Sequence, residues 1–370
     1  MKQGWELKKL GEVCEVFAGQ SPEGKYYNTE ENGLPFYQGK KEYGTKFIGE
    51  PKIWTSKTTK VAESNDILMS VRAPVGPINF STQRICIGRG LAAIRAKKSI
   101  DKEFLYNFLL KHENEIESNS GAVFNSINKS QIEAIKIPLP TLPEQKRIVA
   151  ILDKTFAAID KAKANAEQNL KNSKELFESY LQSVFENKGD DWEEKLLSEI
   201  SDNLDSKRIP ITRNVRKVGS IPYYGASGIV DYVADYIFNE DLLCISEDGA
   251  NLLARTYPIA FSISGKTWVN NHAHVLRFEK MDTQKFVQLY LNSIKLDDYV
   301  SGMAQPKLNQ TMLNKIPIPL PPFGEQKQIV QKLDILSSET QKLQSIYQNK
   351  IKDLEELKKS ILQKAFSGEL

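Results

Sequence analysis

The sequence predicts an α+β protein: two mixed α/β globular domains, each followed by one long helix, with the two helices paired as a coiled coil. Three observations predict this class. A proline-rich joint is written twice, IPLPTLPEQKRIVAILD from Ile137 and IPLPPFGEQKQIVQKLD from Ile318, 181 residues apart. A 3-4 apolar rhythm follows each joint, and period-2 apolar segments broken by Gly, Asn and Ser fill the remainder.

The first globular domain is placed at residues 1–143. Asp66–Val71 and Leu91–Ala96 alternate as strands do, and DKEFLYNFLLKH from Asp101 reads as a helix capped by that Asp. The joint ends it. Pro138, Pro140 and Pro143 enforce an extended approach, because proline has no N–H to donate and does not fit inside a helix. Thr141 and Glu144 then form a predicted capping box, and a helix spans 144–187. The second domain covers 188–323, with strands at Leu242–Ser246, Ile259–Ser264 and His274–Phe278 and a helix capped by Asp282. Its joint carries Pro322 in place of the Thr and keeps Glu325 in the first turn of a helix over 324–370, where the dipole favours it.

The duplication extends beyond the joint. GWELKKLGEV from Gly4 matches DWEEKLLSEI from Asp191, aligning Trp5 with Trp192 and Glu12 with Glu199. At the 181 offset Gly121 falls on Gly302, Asn128 on Asn309 and Ile132 on Leu313. The first helix carries Ile148, Leu152, Thr155, Ile159, Ala162 and Ala166, then Asn169, Ser173, Leu176, Tyr180 and Val184. The second carries Ile329, Leu333, Leu336, Thr340, Leu343, Tyr347, Ile351, Leu354, Leu357 or Lys358, and Ile361. Such rods are on the order of 60 Å long. Small residues in one helix and large ones in the other favour mutual packing over each helix lying on its own globular domain.

Composition narrows the function. Hydrophobic residues make up 40% and charged residues 26% of 370, as in soluble globular proteins. No apolar run approaches the length of a membrane span. Cys14, Cys86 and Cys244 lie far apart in sequence without metal spacing, which points to a reducing cytoplasm. The net charge of +3 divides as +4 over residues 1–143 and −2 over 188–323, so any nucleic-acid face is a local patch or depends on a partner.

Catalytic motifs do not emerge. AFSISGKT from Ala260 satisfies a relaxed phosphate-loop pattern, but the following WVNNHAHVLRF reads as strand and provides no helix N-terminus for a phosphate. His272 and His274 share one strand face without an acidic or Cys ligand at metal spacing nearby. The Gly-rich cofactor loop and Asn/Asp-Pro-Pro-aromatic tetrapeptide of DNA methyltransferases are missing, as is a nuclease-like acidic cluster.

Loop chemistry fits nucleic acid better. Gln38, Lys40 and Lys41 surround a glycine turn, and Arg72 and Arg89 stand at strand–loop borders. The second domain offers Tyr223, Tyr224, Ser227, Asn251, Lys266, Asn270, Asn271 and His272. Arg and Lys suit guanine edges or phosphates, and Asn and Gln suit adenine edges.

The doubled P-x-P…EQ-x-x-I-V joint with its heptad helices resembles the specificity (S) subunit of type I restriction–modification systems. So do FYQGKKEYG, IGRGLA, IPYYGASG, SEDGANL, NNHAHVLRF and ILQKAFSGEL, and the likeness covers essentially the whole chain. The resemblance implies two target recognition domains, each reading one half of a split, double-stranded DNA sequence. It implies helices packed antiparallel, giving a pseudo-two-fold tandem repeat whose helices set the half-site spacing, with half-sites roughly 34 Å apart. It further implies two docked modification (methyltransferase) subunits bringing S-adenosylmethionine, and restriction subunits bringing ATP- and Mg-dependent translocation and cleavage. The S subunit itself would be non-catalytic, without cofactor or metal, and no base-reading position is carried over. A DNA methyltransferase or nuclease with unfamiliar motifs, and a coiled-coil scaffold that binds no DNA, are the alternatives.

Overall fold

Each proline joint is a short strand that leads into a long helix. In the computed structural model, which describes residues 3–118, 126–302 and 304–370, the chain opens with β1 (Glu6–Lys9), α1 (Leu10–Val13) and β2 (Cys14–Ala18). Ser120 and Gly121 of the repeat lie outside the described residues. Short strands follow: β3 (Tyr27–Asn28), β4 (Leu34–Tyr37), β5 (Trp54–Thr55), β6 (Val61–Ala62) and β7 (Ile67–Ser70). Then come β8 (Ile78–Phe80), β9 (Ile85–Ile87), β10 (Leu91–Ala96), α2 (Lys102–Ser118), α3 (Lys129–Ala134), β11 (Lys136–Leu139) and α4 (Leu142–Glu186).

The second copy repeats the order. It has β12 (Glu193–Leu196), α5 (Leu197–Ile200), β13 (Asp202–Asn203), β14 (Val218–Gly225), β15 (Gly228–Val233) and β16 (Phe238–Asn239). β17 (Leu242–Ser246), α6 (Asn251–Ala254), β18 (Ala260–Ile263), β19 (Lys266–Val269) and β20 (Ala273–Arg277) follow. α7 (Met281–Ser293), α8 (Gln310–Leu313), β21 (Pro317–Leu320) and α9 (Phe323–Ser367) complete it. Two compact units result, Met1–Glu167 with Asn349–Leu370, and Gln168–Gln348.

Within each unit the same two sheets recur. The first unit orders β2-β10-β7-β8, all antiparallel, beside β3-β5-β4-β9-β6, whose β4–β9 pair is parallel. The second orders β13-β20-β17-β18 and β15-β14-β19-β16, with β14–β19 parallel. Asp101 caps α2 as expected, accepting from the Glu103 and Phe104 amides at 2.9 and 3.1 Å. Asp282 does not cap α7, which starts one residue earlier at Met281 and holds that carboxylate in its first turn. There the helix dipole still favours it.

The joint strand β11 pairs antiparallel with β1, and β21 with β12, in two-stranded ladders that tolerate proline at an edge. The paired glutamates of the repeat close the adjacent turns: Glu12 accepts the Lys9 amide at 2.8 Å and Glu199 the Leu196 amide at 2.6 Å. Glu144 pairs with Arg147 at 2.7 Å, and the tie across the joint comes from the next residue. Gln145, fully buried, donates to Pro140 O at 2.8 Å and accepts from the Asp101 amide at 2.7 Å. Gln326 likewise donates to Pro321 O at 2.7 Å and accepts from the Thr283 hydroxyl at 2.7 Å. The Gln of each joint thus pins strand, helix start and globular domain together.

Within the first unit, α4 and the distal part of α9 run antiparallel. Asp160 meets Lys358 at 2.8 Å, and Leu362, Ala365 and Phe366 join Ile148 and Leu152 in one core with Phe104 and Phe108. Within the second, Leu181 and Phe185 share a core with Val330 and Leu333. The expected stripe holds through Ala166, misses the exposed Asn169 and returns at Ser173, then advances one residue to Phe177, Leu181 and Phe185, leaving Leu176 and Tyr180 exposed. Leu343 and Leu357 are also exposed, and the Lys358 ammonium lies over the Phe156 ring at 4.9 Å. A straight helix drifts against a strict heptad, and here the drift carries the stripe onto the globular core, where Phe185 packs on Phe286 and Tyr290. Mutual helix packing and packing on the globular domain therefore coexist along one helix.

Candidate nucleic-acid interface

In the first unit the parallel pair β4–β9 continues into backbone contacts that shape a loop cluster. The Gly88 amide donates to Tyr37 O at 2.8 Å, Gly90 to Gln38 O at 3.1 Å, and Val71 to Gly90 O at 3.0 Å. A Cβ on Gly90 would stand 2.5 Å from Gln38 O, so IGRGLA needs its glycines to let these backbones meet. Arg89, held between them, stays exposed. It lines a cleft of about 550 Å³ with Gln20, Ser21, Tyr27 and Gln38. There Ser21 Oγ donates to Gln38 Oε1 at 2.9 Å. Arg89 also lines an adjoining cleft of about 250 Å³ with Arg72, Ser126, Asn128 and Lys129.

Gln38, Arg72 and Arg89 therefore come together. Lys40 and Lys41 sit on a short 3-10 turn and line neither cleft. Ser21, Tyr27 and Lys129 belong to the cluster but were not expected from sequence. Ser21 and Tyr27 lie in no motif, Lys129 lies in the repeat without a chemical signal of its own, and only the fold brings them to the loops.

The second unit uses the same backbone scheme with other side chains. The Asn270 amide donates to Tyr224 O at 3.0 Å and the Glu247 amide to His272 O at 2.9 Å. Asn270, Asn271 and His272 thus occupy the places of Gly88, Arg89 and Gly90. Asp248, bridged to Lys307, occupies that of Arg72, bridged to Ser126. Asn271 and His272 are exposed, and His272 Nδ1 lies 2.8 Å from Asp248. Tyr224 and Ser227 line a cleft of about 430 Å³ with Ile229, Tyr257 and Phe261. Lys266 lies over the Tyr236 ring at 4.9 Å.

Three expected base readers are turned inward instead. Tyr223 is 1% exposed, its hydroxyl accepts the Ile211 amide at 3.0 Å, and Arg216 lies on its ring at 4.3 Å. Asn251 is buried and holds its own turn, accepting from the Thr256 amide at 2.9 Å and donating to Tyr257 O at 2.9 Å. Asn270 is buried and accepts the His272 amide at 2.8 Å. Tyr223 spends its hydroxyl and Asn251 its amide on internal partners, and Asn270 spends its side-chain oxygen.

AFSISGKT passes from β18 through Ser264 and Gly265 straight into β19, so no helix start faces the loop among the described residues. His274, by contrast, has carboxylates that the sequence did not bring near it. Its Nδ1 lies 2.5 Å from Asp205 and its Nε2 2.7 Å from Leu308 O, with Glu247 close by. Arg208 meets Glu247 at 2.6 Å and Lys307 meets it at 3.1 Å. With both ring nitrogens engaged and two cations inside the group, this donor set suits an ionic network, not a metal. In the first unit the places of Asp205, Glu247 and His274 fall to Ala18, Val71 and Ala92, by the register of the equivalent strands.

The family model for the type I restriction modification DNA specificity domain matches this chain twice, over residues 2–171 and 189–353. The chain belongs to that family. Two specificity-domain relatives match about half of it. The MjaX specificity subunit of Methanocaldococcus jannaschii is 41% identical over 178 residues, 47% of this chain and 42% of that protein. S.HindORF215P of Haemophilus influenzae is 34% identical over 171 residues, 46% of this chain and 42% of that one. The matched part of the chain thus spans less than half the length of either relative. The MjaVIII specificity subunit of M. jannaschii aligns at 25% identity over all of this chain and 93% of its own.

Two solved structures share the specificity-subunit fold. A chain from work on complex assembly and conformational transition of the type I R-M system superposes with a TM-score of 0.80 at 20% identity, covering 100% and 99% of the two chains. The HsdS subunit of Thermoanaerobacter tengcongensis superposes at 0.65, also at 20% identity, covering 100% and 98%. Among the described residues no helix is long and apolar enough to cross a membrane.

Proposed function

We infer that this chain is the sequence-specific DNA-recognition subunit of a type I restriction–modification complex. Each globular part reads one half of a bipartite target, while the paired helices set the spacing and dock two modification subunits. The observation that carries the reading is the doubled loop scheme. One backbone framework presents Gln38, Arg72 and Arg89 in one unit and Asn271, His272 and Asp248 in the other. A common scaffold with exchanged polar side chains is what two independent readers need. The chain acts without catalysis of its own in this reading. S-adenosylmethionine resides on the modification subunits, and ATP and Mg act with the restriction subunits in the cytoplasm.

The test is DNA binding and adenine or cytosine methylation by the chain alone and with its modification subunits. Sequence-dependent, salt-sensitive binding and methylation only in the assembled complex are expected. Methyl transfer by the isolated chain would reinstate the enzyme reading, and an assembled complex indifferent to sequence would leave only a scaffold.

A further inference from the structure

The first unit contains five arginines, and the structure commits three of them. Arg84 pairs with Glu63 at 3.4 Å, Arg95 with Asp66 at 2.7 Å, and Arg147 with Glu144 at 2.7 Å. Arg72 and Arg89 have no ion-pair partner among the described residues, and both line the same small cleft. Both are exposed, and both sit at the ends of core strands, where backbone hydrogen bonds fix the main chain beneath them. Two free guanidinium forks on fixed backbone form a donor array with no acceptor of their own. In the second unit the matching places hold Asp248 and Asn271, and the places of Ala18, Val71 and Ala92 in the cleft lining hold Asp205, Glu247 and His274.

We propose that Arg72 and Arg89 are the specificity-determining pair of the first unit, reading the O6 and N7 acceptors of guanine in its DNA half-site. The inference rests on the DNA-recognition reading above and adds the base class and the residues. A bidentate fork on guanine is the commonest specific contact in the major groove. The Gly88-Arg89-Gly90 spacing aims one such fork from a strand end. Gln38 lines the same cleft beside Arg89, its Oε1 held by Ser21, and offers its amide NH2 for a neighbouring base.

The experiment is a methylation-site map of the assembled complex carrying the wild-type chain, Arg72→Ala, Arg89→Ala, Arg89→Lys or Lys41→Ala. The wild type is expected to require a G·C pair at a position where Arg89→Ala relaxes preference by roughly 5- to 150-fold. The other half-site should stay unchanged. Arg89→Lys keeps the charge and loses the fork, so it should relax the same position while retaining overall affinity. Lys41→Ala should weaken all sequences alike, as a phosphate contact does. An unchanged consensus in the arginine variants, or relaxation at an A·T position, overturns the proposal and leaves the DNA-recognition reading standing. A wild-type complex that methylates without sequence preference overturns both.

Discussion

Gln145 and Gln326 are each the most buried polar group of their joint, and each makes hydrogen bonds in two directions. Replacing Gln326 by Leu leaves the Pro321 carbonyl and the Thr283 hydroxyl without their partner. A loss of about 1–3 kcal/mol is expected, read from urea unfolding. The ionic network predicts a pH effect. Burial by itself would raise the Asp205 and Glu247 carboxyls, but the His274 contact on Asp205 and the Arg208 and Lys307 contacts on Glu247 outweigh it and hold both low. A depressed folded-state value gives stability that is complete above the unfolded carboxylate range, near about pH 4. It is lost as pH falls from there through the folded values. Wild-type stability should therefore fall faster in acid than that of Asp205→Asn, and superimposable acid profiles would count against the network. At this scale sequence was a poor guide. Tyr223, Asn251 and Asn270 have the chemistry of base readers, but the turn-rich segments that expose polar residues also recruit them as internal ties. The carboxylates of His274 come from residues 69 and 27 positions away, distances at which no local spacing rule operates.

The elements were more legible than the sites. The strands at Leu91–Ala96 and Leu242–Ser246 and the start of α2 could be read directly, because alternation and an Asp cap are local signals. The stripe on α4 was readable only as far as Ser173, since its later residues answer to a globular core whose position periodicity does not encode. Energetically the apolar seam dominates. Leu333→Ala, at 1% exposure, should cost about 2–5 kcal/mol in chemical denaturation. The exposed pair Lys163–Glu355 should give a coupling far smaller than that loss in a double-mutant cycle.

For the whole molecule, duplication was visible in sequence because the joint recurs at an offset of 181 and the opening tryptophans recur at 187. The equivalence of Arg89 with Asn271 was not visible, because loop lengths differ between the copies and only the backbone hydrogen bonds restore the alignment. If the helices set target spacing, lengthening both by the same few residues should change the spacer in a methylation-site map and leave each half-sequence alone. Exchange of residues 188–315 for another such domain should alter one half only.

The first unit takes its core partly from residues 349–370, so Phe366 rests on Phe104 and Phe108 across more than half the chain. The second unit is one continuous stretch, Gln168–Gln348. During synthesis, then, the segment translated in the middle has all its partners first, while the segment translated earliest must wait for Leu362, Ala365 and Phe366 to emerge. A nascent chain halted before residue 349 should protect the second unit from protease and leave the first open, reversing the usual order in which a ribosome finishes its domains.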